Sequence, residues 1–357
     1  MSGGLLDGLR VVDASLWQPG HYATQLLADL GADVVKIEPP GGDRMRPMAE
    51  KFELFNGRKR TRVLDLKSEA GRAELLALVH ESEVFVENYR PGVADRLGVG
   101  FEALRAVNPA IVYCSISGFG QTGPLAGTTG HDPNYQAYAG AMTAREGGPP
   151  MPSGVLVGDQ GAGMAAAFAI LAGVVCARRT GEGEHIDVSM TDVVASWVAA
   201  GGTLDRRRSA AERTLGPSPA MGVFAALDGH VVLGVHTEDH LWDALCTALG
   251  LPQHVGLTVA QRSAAAAQLR RELEEVVATW KRDALVEELG RHGAPVAPVL
   301  DREEMLDHPH FRERGLFPEG PGGFRSLAHP IRYRIHPALP PGPAPSLDGG
   351  LPEPDAP

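Results

Sequence analysis

Apolar residues in the N-terminal half fall into short buried-type runs, separated by stretches with three- and four-residue apolar spacing. The short runs predict strands at residues 9–14, 32–37, 62–66, 83–86, 111–117 and 186–189. The spaced stretches predict helices at residues 22–30, 69–80, 101–107, 135–142, 160–179 and 192–200. Because strands and helices alternate, the pattern predicts an α/β domain with a mostly parallel, doubly wound sheet.

The pattern changes after residue 200. Two apolar runs around Asp228-Gly229 predict a hairpin at residues 223–235, and helical spacing follows at residues 240–249, 259–279 and 282–292. This half is typical of a smaller α+β domain. The predicted organisation is a large domain at 1–200 completed by 311–336, a linker at 201–219, a small domain at 220–299, a returning linker at 300–310 and a flexible Pro/Gly-rich tail at 337–357.

Composition narrows the class of protein. The formal net charge is −11, which argues against a general nucleic-acid binder. The three cysteines are widely spaced and suit reduced thiols. The N-terminus does not resemble a signal peptide. The apolar run at 161–177 is short for a membrane span and reads as a buried helix. We therefore expect a cytoplasmic protein that contacts no membrane.

Two proton carriers, His131 and Asp159, each stand among glycines where a loop is predicted to become a helix. A histidine and a carboxylate facing one carbon from opposite sides could exchange its proton as an acid/base pair. Nearby helix N-termini could offer N–H groups to an enolate oxygen. The plainer alternative is that Asp159 caps the long helix and His131 is an ordinary loop histidine.

Basic residues are concentrated in Asn56–Arg62, although the chain as a whole is acidic. Arg58, Lys59, Arg60 and Arg62 could bind phosphate groups, or they could form a solvated turn before a strand. Arg90 follows a predicted strand end, where ligands of open α/β sheets bind. It could equally be an ordinary surface arginine.

A second group of polar residues follows the hairpin. His236, Glu238, Asp239 and His240 read best as the N-terminus of a helix capped by Thr237, because their spacing matches no zinc site. We therefore predict no metal. The first strand-to-helix turn lacks G-x-G-x-x-G, and neither a P-loop nor a G-x-S-x-G elbow is present. These absences argue against nicotinamide, ATP and α/β-hydrolase chemistry.

Several stretches together resemble the class III CoA-transferase (CaiB/BaiF-type) superfamily: LLADLGADVVKIEPPGGD, NGRKRTRVLDLKS, ENYRPGVADRLGVG, HDPNYQAYAG and VGDQGAG among them. The resemblance covers roughly residues 5 to 335. It implies a Rossmann-like large domain, a small domain joined by two linkers, and an interlocked homodimer. It further implies an acyl-CoA thioester as substrate, with CoA as part of that substrate and no separate cofactor.

Within the superfamily, Gly-His-Asp followed by Gly-Asp is most similar to the α-methylacyl-CoA racemase branch. That resemblance implies that His131 and Asp159 are the acid/base pair and that Glu238 orients His131. It also implies that an N–H near Asp132 binds the thioester oxygen. Arg90 and the basic residues 58–62 would line the CoA groove.

We therefore hypothesise an acyl-CoA racemase that exchanges the α-proton of a 2-methylacyl-CoA through an enolate. The alternative is a CoA-transferase that uses Asp159 as nucleophile. A further alternative is a CoA-binding homologue without catalysis, against which the His/Asp/Glu set argues.

Overall fold

The computed structural model of the 357-residue chain describes residues 4–144, 148–201, 218–320 and 323–347. Its contacts form two compact units. The first unit contains Met1–Gly201 and Arg312–Pro357, and the second contains Gly202–Phe311. The second unit is thus inserted into the sequence of the first. Most of the predicted linker at 201–219 lies outside the described residues.

The first unit is an α/β structure built on a six-stranded parallel sheet with the order β3-β2-β1-β4-β5-β8. Its strands are β1 Arg10–Asp13, β2 Asp33–Glu38, β3 Arg60–Val63, β4 Val84–Glu87, β5 Val112–Ser117 and β8 Glu184–Ser189, and a two-residue pair is formed by β6 Thr143–Ala144 and β7 Pro150–Met151. Its helices are α1 Gln18–Asp29, α2 Ala49–Asn56, α3 Glu69–His80, α4 Val93–Arg96, α5 Phe101–Val107, α6 Asp132–Tyr138, α7 Val157–Thr180 and α8 Met190–Ala200. This confirms the predicted fold class.

The central strands form because their side chains are buried on both faces. Val11, Val84 and Cys114 enter a core under α1 and α7, whereas Val12 and Phe85 enter a second core under α3 and α5. Continuous apolar runs are what a parallel strand covered on both sides requires. The order of the strands reverses between β1 and β4, so a crevice is expected beyond the carboxyl ends of these two strands.

Helix α7 packs closely on its neighbours because it is rich in glycine. A Cβ at Gly161 would lie 2.4 Å from the ring of Trp197, and one at Gly163 would lie 2.8 Å from the carbonyl oxygen of Pro19. Among the described residues, α7 is one helix long and apolar enough to cross a membrane by length and composition. Its inner side chains, such as Ala166 and Ile170, are fully buried in the core.

The second unit has its own core around Phe224, Trp242 and Leu273. Its antiparallel sheet has the order β11-β10-β9. The elements are β9 Met221–Ala226, β10 Gly229–Gly234, α9 Asp239–Ala248, α10 Val259–Ala264, α11 Ala266–Val277, α12 Arg282–Arg291, β11 Val296–Pro298 and α13 Arg302–Asp307, with a 3₁₀ turn at Pro252–His254. Helix α14 Pro309–Glu313 runs back into the first unit.

Several elements differ from their predictions. Strand β3 begins two residues earlier than predicted, the predicted helix at 259–279 is two helices, and α2 and α4 were not predicted. The described part of the predicted loose tail, residues 337–347, lies along the first unit. There Leu339 N–H donates to the carbonyl of Asp29 (2.7 Å), and Pro343 accepts from the N–H of Arg58 (3.0 Å). These backbone hydrogen bonds anchor a segment that is rich in proline and has no helix or strand of its own.

Candidate active site

A cavity of about 650 Å³ lies where the order of the strands reverses. Its wall includes residues 16–19 after β1, 88–91 after β4, 117–118 at the end of β5 and 128–133 around the start of α6, together with Asp159. The N–H of Leu16 donates to Oδ1 of Asn88 (2.8 Å), which ties the first two of these segments together. The cavity therefore occupies the crevice that this sheet order creates.

Asp159 lies in the first turn of α7, three residues after the N-cap Leu156, so it is not the cap itself. Among the described residues no hydrogen bond or ion pair to its carboxylate is found. Burial raises the pKa of Asp159 to about 7, the carboxylate of Asp132 adds to this rise, and Lys51 opposes it. Asp159 is thus a half-buried carboxyl group that faces the cavity and titrates near neutral pH.

Asp132 explains why Asp159 lies where it does. It is 3% exposed, and its Oδ2 accepts the N–H groups of Gly158 (2.7 Å) and Asp159 (2.9 Å). Its Oδ1 accepts from the side-chain amide of Gln136. Asp132 itself lies in the first turn of α6, so a carboxylate of one helix caps the N-terminus of another, α7. A Cβ at Gly158 would lie 3.0 Å from Oδ2, and glycine therefore allows this approach.

This arrangement changes one expectation. Gly158 and Asp159 give their N–H groups to Asp132, so these two amides of α7 are not free to bind a substrate oxygen. The predicted oxyanion role of an N–H near Asp132 stays a prediction. What the structure adds is the Asp132 side chain, whose role as a cap between two helices could not be read from the spacing alone.

His131 lines the same cavity as Asp159, so the structure brings the two predicted proton carriers to one site. Its side chain is exposed, and its N–H donates to Oδ1 of Asn134 (2.9 Å), which fixes the start of α6. Next to it, the hydroxyl of Tyr135 donates to the carbonyl of Gly130 (2.6 Å), and burial raises the pKa of Tyr135 to about 12. Tyr135 is therefore a neutral part of the cavity wall.

Glu238 lies in the second unit, at the N-cap of α9. The helix thus begins one residue later than the predicted cap Thr237 implies. Oε2 of Glu238 accepts the N–H groups of His236 (3.2 Å) and Thr237 (3.0 Å), and the Glu238 side chain is exposed. The predicted pairing of Glu238 with His131 stays a prediction. No three His, Cys, Asp or Glu side chains form a metal site within the described residues.

The basic residues 58–62 were predicted to line the CoA groove, and this stays a prediction; the structure shows which partners these side chains have within the chain. The ammonium of Lys59 is buried and lies 3.0 Å from Oδ2 of Asp13. Arg60 forms an ion pair with Asp33, and Arg62 forms one with Glu74. Lys59 is thus paired inside the fold, whereas Arg60 and Arg62 form partly exposed ion pairs with acidic residues beside β3.

Arg58 is exposed and donates to the carbonyl of Pro340, away from the cavity wall. The cations that line the cavity are instead Arg44, Lys51 and Arg90. Among the described residues no ion pair to these three side chains is found. Arg90 was predicted from its place after a strand. Arg44 and Lys51 were missed because they lie in a loop and in a helix that the apolar pattern did not mark.

Comparisons with known proteins agree with this geometry. The model of CoA-transferase family III matches residues 6–350, so the chain belongs to that family. A succinyl-CoA:mesaconate CoA-transferase of Haloarcula hispanica is 35% identical over 97% of this chain and 94% of its own length. An acetyl-CoA:oxalate CoA-transferase of Acetobacter aceti is 34% identical over 97% and 93%.

A solved structure supports the same family assignment. A CAIB/BAIF family protein from Brucella suis superimposes with a TM-score of 0.85 and 32% identity, covering 97% of both chains. The predicted superfamily is confirmed. Within it, the relatives are named as CoA-transferases, which supports the transferase alternative; the racemase hypothesis finds no support in these relatives.

Proposed function

We propose that the protein is a CoA-transferase that moves CoA between carboxylic acids, with Asp159 as the nucleophile. The observation that carries this proposal is the carboxylate of Asp159, which faces the cavity and has no cation bonded to it in the part of the chain that the structure describes. Because burial raises its pKa to about 7, the ionised form is more basic and more nucleophilic than an ordinary aspartate.

The reaction then follows from the chemistry of the thioester. Asp159 attacks the thioester carbonyl, the C–S bond breaks, and CoA leaves as a thiolate from an acyl–Asp159 anhydride. The thiolate attacks the Asp159 carbonyl of the anhydride, which releases the donor acid and leaves a CoA thioester on Asp159. The acceptor carboxylate attacks that thioester, and the thiolate returns to the acceptor acyl group, which frees Asp159.

We propose a short dicarboxylic acid as the acceptor. Lys51 lines the cavity and lies close enough to Asp159 to influence its charge. Its ammonium is therefore suited to bind a second carboxylate of the acid whose first carboxylate reacts. The relatives named above act on mesaconate and oxalate, which are both dicarboxylic acids. Arg90, on the segment after β4, is suited to the phosphates of CoA.

We also propose a homodimer. The outer face of α7 exposes Met164 (47%), Phe168 (76%) and Val175 (70%), and Trp197 of α8 lies beside the helix with 52% exposure. Large apolar side chains grouped on one helix face favour a partner surface. We take this partner to be a second copy of the chain, because the family resemblance implies an interlocked homodimer. Light scattering on the purified protein tests this.

The nucleophile is tested by trapping. Incubation with succinyl-CoA and hydroxylamine should convert Asp159 to a hydroxamate, detected by peptide mass spectrometry, with matching loss of transferase activity. Asp159→Asn should form no adduct and should lose about 10³-fold or more in kcat, since the covalent step is removed. Asp192→Asn, an exposed aspartate in the first turn of α8, is the matched control and should behave like the wild type.

The same preparation tests the racemase alternative. A racemase would incorporate α-deuterium from deuterated water into a 2-methylacyl-CoA without any acceptor acid, and His131→Ala would abolish this uptake. That result, together with no hydroxamate on Asp159, would overturn the transferase proposal. CoA exchange that depends on an acceptor acid, without deuterium uptake, supports it.

A further inference from the structure

We propose that Glu87 is a positioning residue whose buried carboxylate holds residues 88–91 in the conformation that binds the CoA thioester. Glu87 does not line the main cavity; it lies under the segment that does. The inference rests on the proposed function in one respect only, namely that the ligand of the main cavity is a CoA thioester.

The carboxylate of Glu87 is bonded on two sides. Glu87 is the last residue of β4 and is 3% exposed. Its Oε2 accepts the N–H of Tyr89 at 2.6 Å, which ties the segment just after the strand to the end of β4. On the adjacent strand β5, the hydroxyl of Ser115 lies beside the same carboxylate, and its hydrogen-bonding influence opposes the rise that burial causes in the pKa of Glu87. Ser115 Oγ in turn lies 3.0 Å from Nε2 of His185 on β8. Polar contacts thus connect Glu87 on β4 with Ser115 on β5 and, through Ser115, with His185 on β8.

A second cavity of about 230 Å³ surrounds this group. Glu87, Ser115 and His185 line it, and the ring of Phe101 stacks on His185 with 5.0 Å between ring centroids. Arg90 lines both this cavity and the main one. The segment after β4 is therefore the wall between the two cavities, and its position depends on what holds it from the smaller one.

The same segment is linked to the first strand. The hydrogen bond from Leu16 N–H to Asn88 joins residues 88–91 to the loop after β1. Tyr89, Arg90 and Pro91 complete that wall of the main cavity. If the N–H of Tyr89 lost its acceptor, residues 88–91 would lose this attachment to β4, and both walls at the reversal of the strand order would shift together.

An ionisable group at this place is costly for the fold. Burial raises the pKa of Glu87 to about 7, the hydrogen bonds from Ser115 and Tyr89 oppose the rise, and Asp95 and Asp187 add to it. Among the described residues no ion pair to Glu87 is found. An apolar side chain would avoid this desolvation. An apolar side chain could not, however, accept hydrogen bonds from the N–H of Tyr89 and the hydroxyl of Ser115.

The test compares two substitutions at one position by calorimetric titration with CoA, which needs no turnover. Glu87→Ala removes the acceptor and should weaken CoA binding about tenfold, the usual scale for an unmatched buried N–H. Glu87→Gln keeps a carbonyl acceptor for Tyr89 and should restore binding to within about threefold. In turnover, the alanine variant should raise KM for the acyl-CoA and leave kcat within about threefold.

Glu83→Ala is the matched control. Glu83 precedes the same strand at its other end and pairs with Arg178 at the surface, so CoA binding should not change. If Glu87→Ala does not fold, Ser115→Ala decides, since it removes one of the donors to the carboxylate and should weaken binding about threefold.

Folded variants that bind CoA as the wild type does would overturn the inference, as would a loss of kcat at unchanged KM. Failure of the wild-type protein to bind CoA would overturn the proposed function instead, and the inference with it.

Discussion

Two aspartates of the first unit, Asp13 and Asp159, are shielded from water, the first fully and the second in part, yet the fold shifts their pKa values in opposite directions. Asp13 is fully buried at the end of β1; burial alone would raise its pKa, but Lys59, Lys36 and His21 outweigh this, and the pKa lies well below its usual range. Asp159 has a second carboxylate as its near neighbour, and its pKa is raised to about 7.

The difference lies in the partners, since both groups are desolvated. Asp13 accepts from Thr24 (2.6 Å) and Lys59 (3.0 Å), so its charge is compensated inside the fold. The nearest group that opposes the rise at Asp159 is Lys51, which forms no hydrogen bond with it among the described residues. A compensated carboxylate stabilises the fold, whereas an uncompensated one stays reactive. This contrast separates the structural charges of this unit from the catalytic one.

The largest effect is expected when the compensation at Asp13 is removed. Lys59→Met keeps the length of the side chain but leaves Asp13 buried without its cation, and should lower the free energy of unfolding by about 3–5 kcal/mol. Urea denaturation followed by circular dichroism measures this. Arg58→Met, one residue away and exposed, is the control and should change stability by less than about 0.5 kcal/mol.

A second outcome of that experiment bears on the CoA groove. If Lys59→Met were as stable as the wild type but bound CoA poorly, the original prediction that Lys59 contacts the phosphates would stand. Loss of stability with unchanged CoA affinity in the folded fraction supports the structural role.

Lys59 also shows where prediction from the sequence reaches its limit. The run of basic residues was visible, but the acceptors of Lys59 come from Asp13, Thr24 and Asn56, which lie on three different elements. Only the folded chain brings them together. By contrast, strands β1, β4 and β5 were predictable because a strand buried on both faces leaves a continuous apolar run.

The candidate site was likewise predictable from the sequence only in part. His131 and Asp159 were singled out because each is a proton carrier set among glycines before a helix. Their common cavity follows from the strand order, which the alternation of elements indicates. The cap that Asp132 forms across two helices, and the cavity cations Arg44 and Lys51, depend on tertiary contacts that no local pattern encodes.

A smaller effect on stability is expected at Asp159. There a substitution should stabilise the protein, whereas Lys59→Met should destabilise it. The folded pKa of Asp159, about 7, lies above its ordinary value of 3.8, so the folded state binds more protons between these values and stability falls as pH rises through that window. The penalty is complete above about pH 7 and absent below about pH 4. Asp159→Asn removes it and should stabilise the protein by about 2 kcal/mol at pH 8, after allowance for partial exposure.

Thermal unfolding at pH 8 and at pH 4 tests this, because the gain should disappear at the lower pH. An equal gain at both pH values would point to a packing effect of the amide and would contradict an electrostatic cost at Asp159.

The smallest effect is expected at Asp132, whose carboxylate helps to raise the pKa of Asp159. Asp132→Asn keeps an oxygen to accept the N–H groups of Gly158 and Asp159 but removes the negative charge beside the nucleophile. The pKa of Asp159 should fall by about one unit. Because the nucleophile must be ionised, the acidic limb of kcat/KM against pH should move down by the same amount, toward pH 6. The plateau rate should also fall, since a less basic carboxylate is a weaker nucleophile and the relief of repulsion on forming the anhydride is lost.

Gln136→Ala separates charge from geometry in this experiment, because it removes the amide that holds Oδ1 of Asp132 and leaves the charge in place. It should lower the rate without lowering the pH of the acidic limb. If Asp132→Asn left the limb unchanged while Gln136→Ala moved it, Asp132 would act only as a helix cap. The raised pKa of Asp159 would then come from burial alone, and the contrast with Asp13 would rest on one missing cation rather than on an opposing carboxylate.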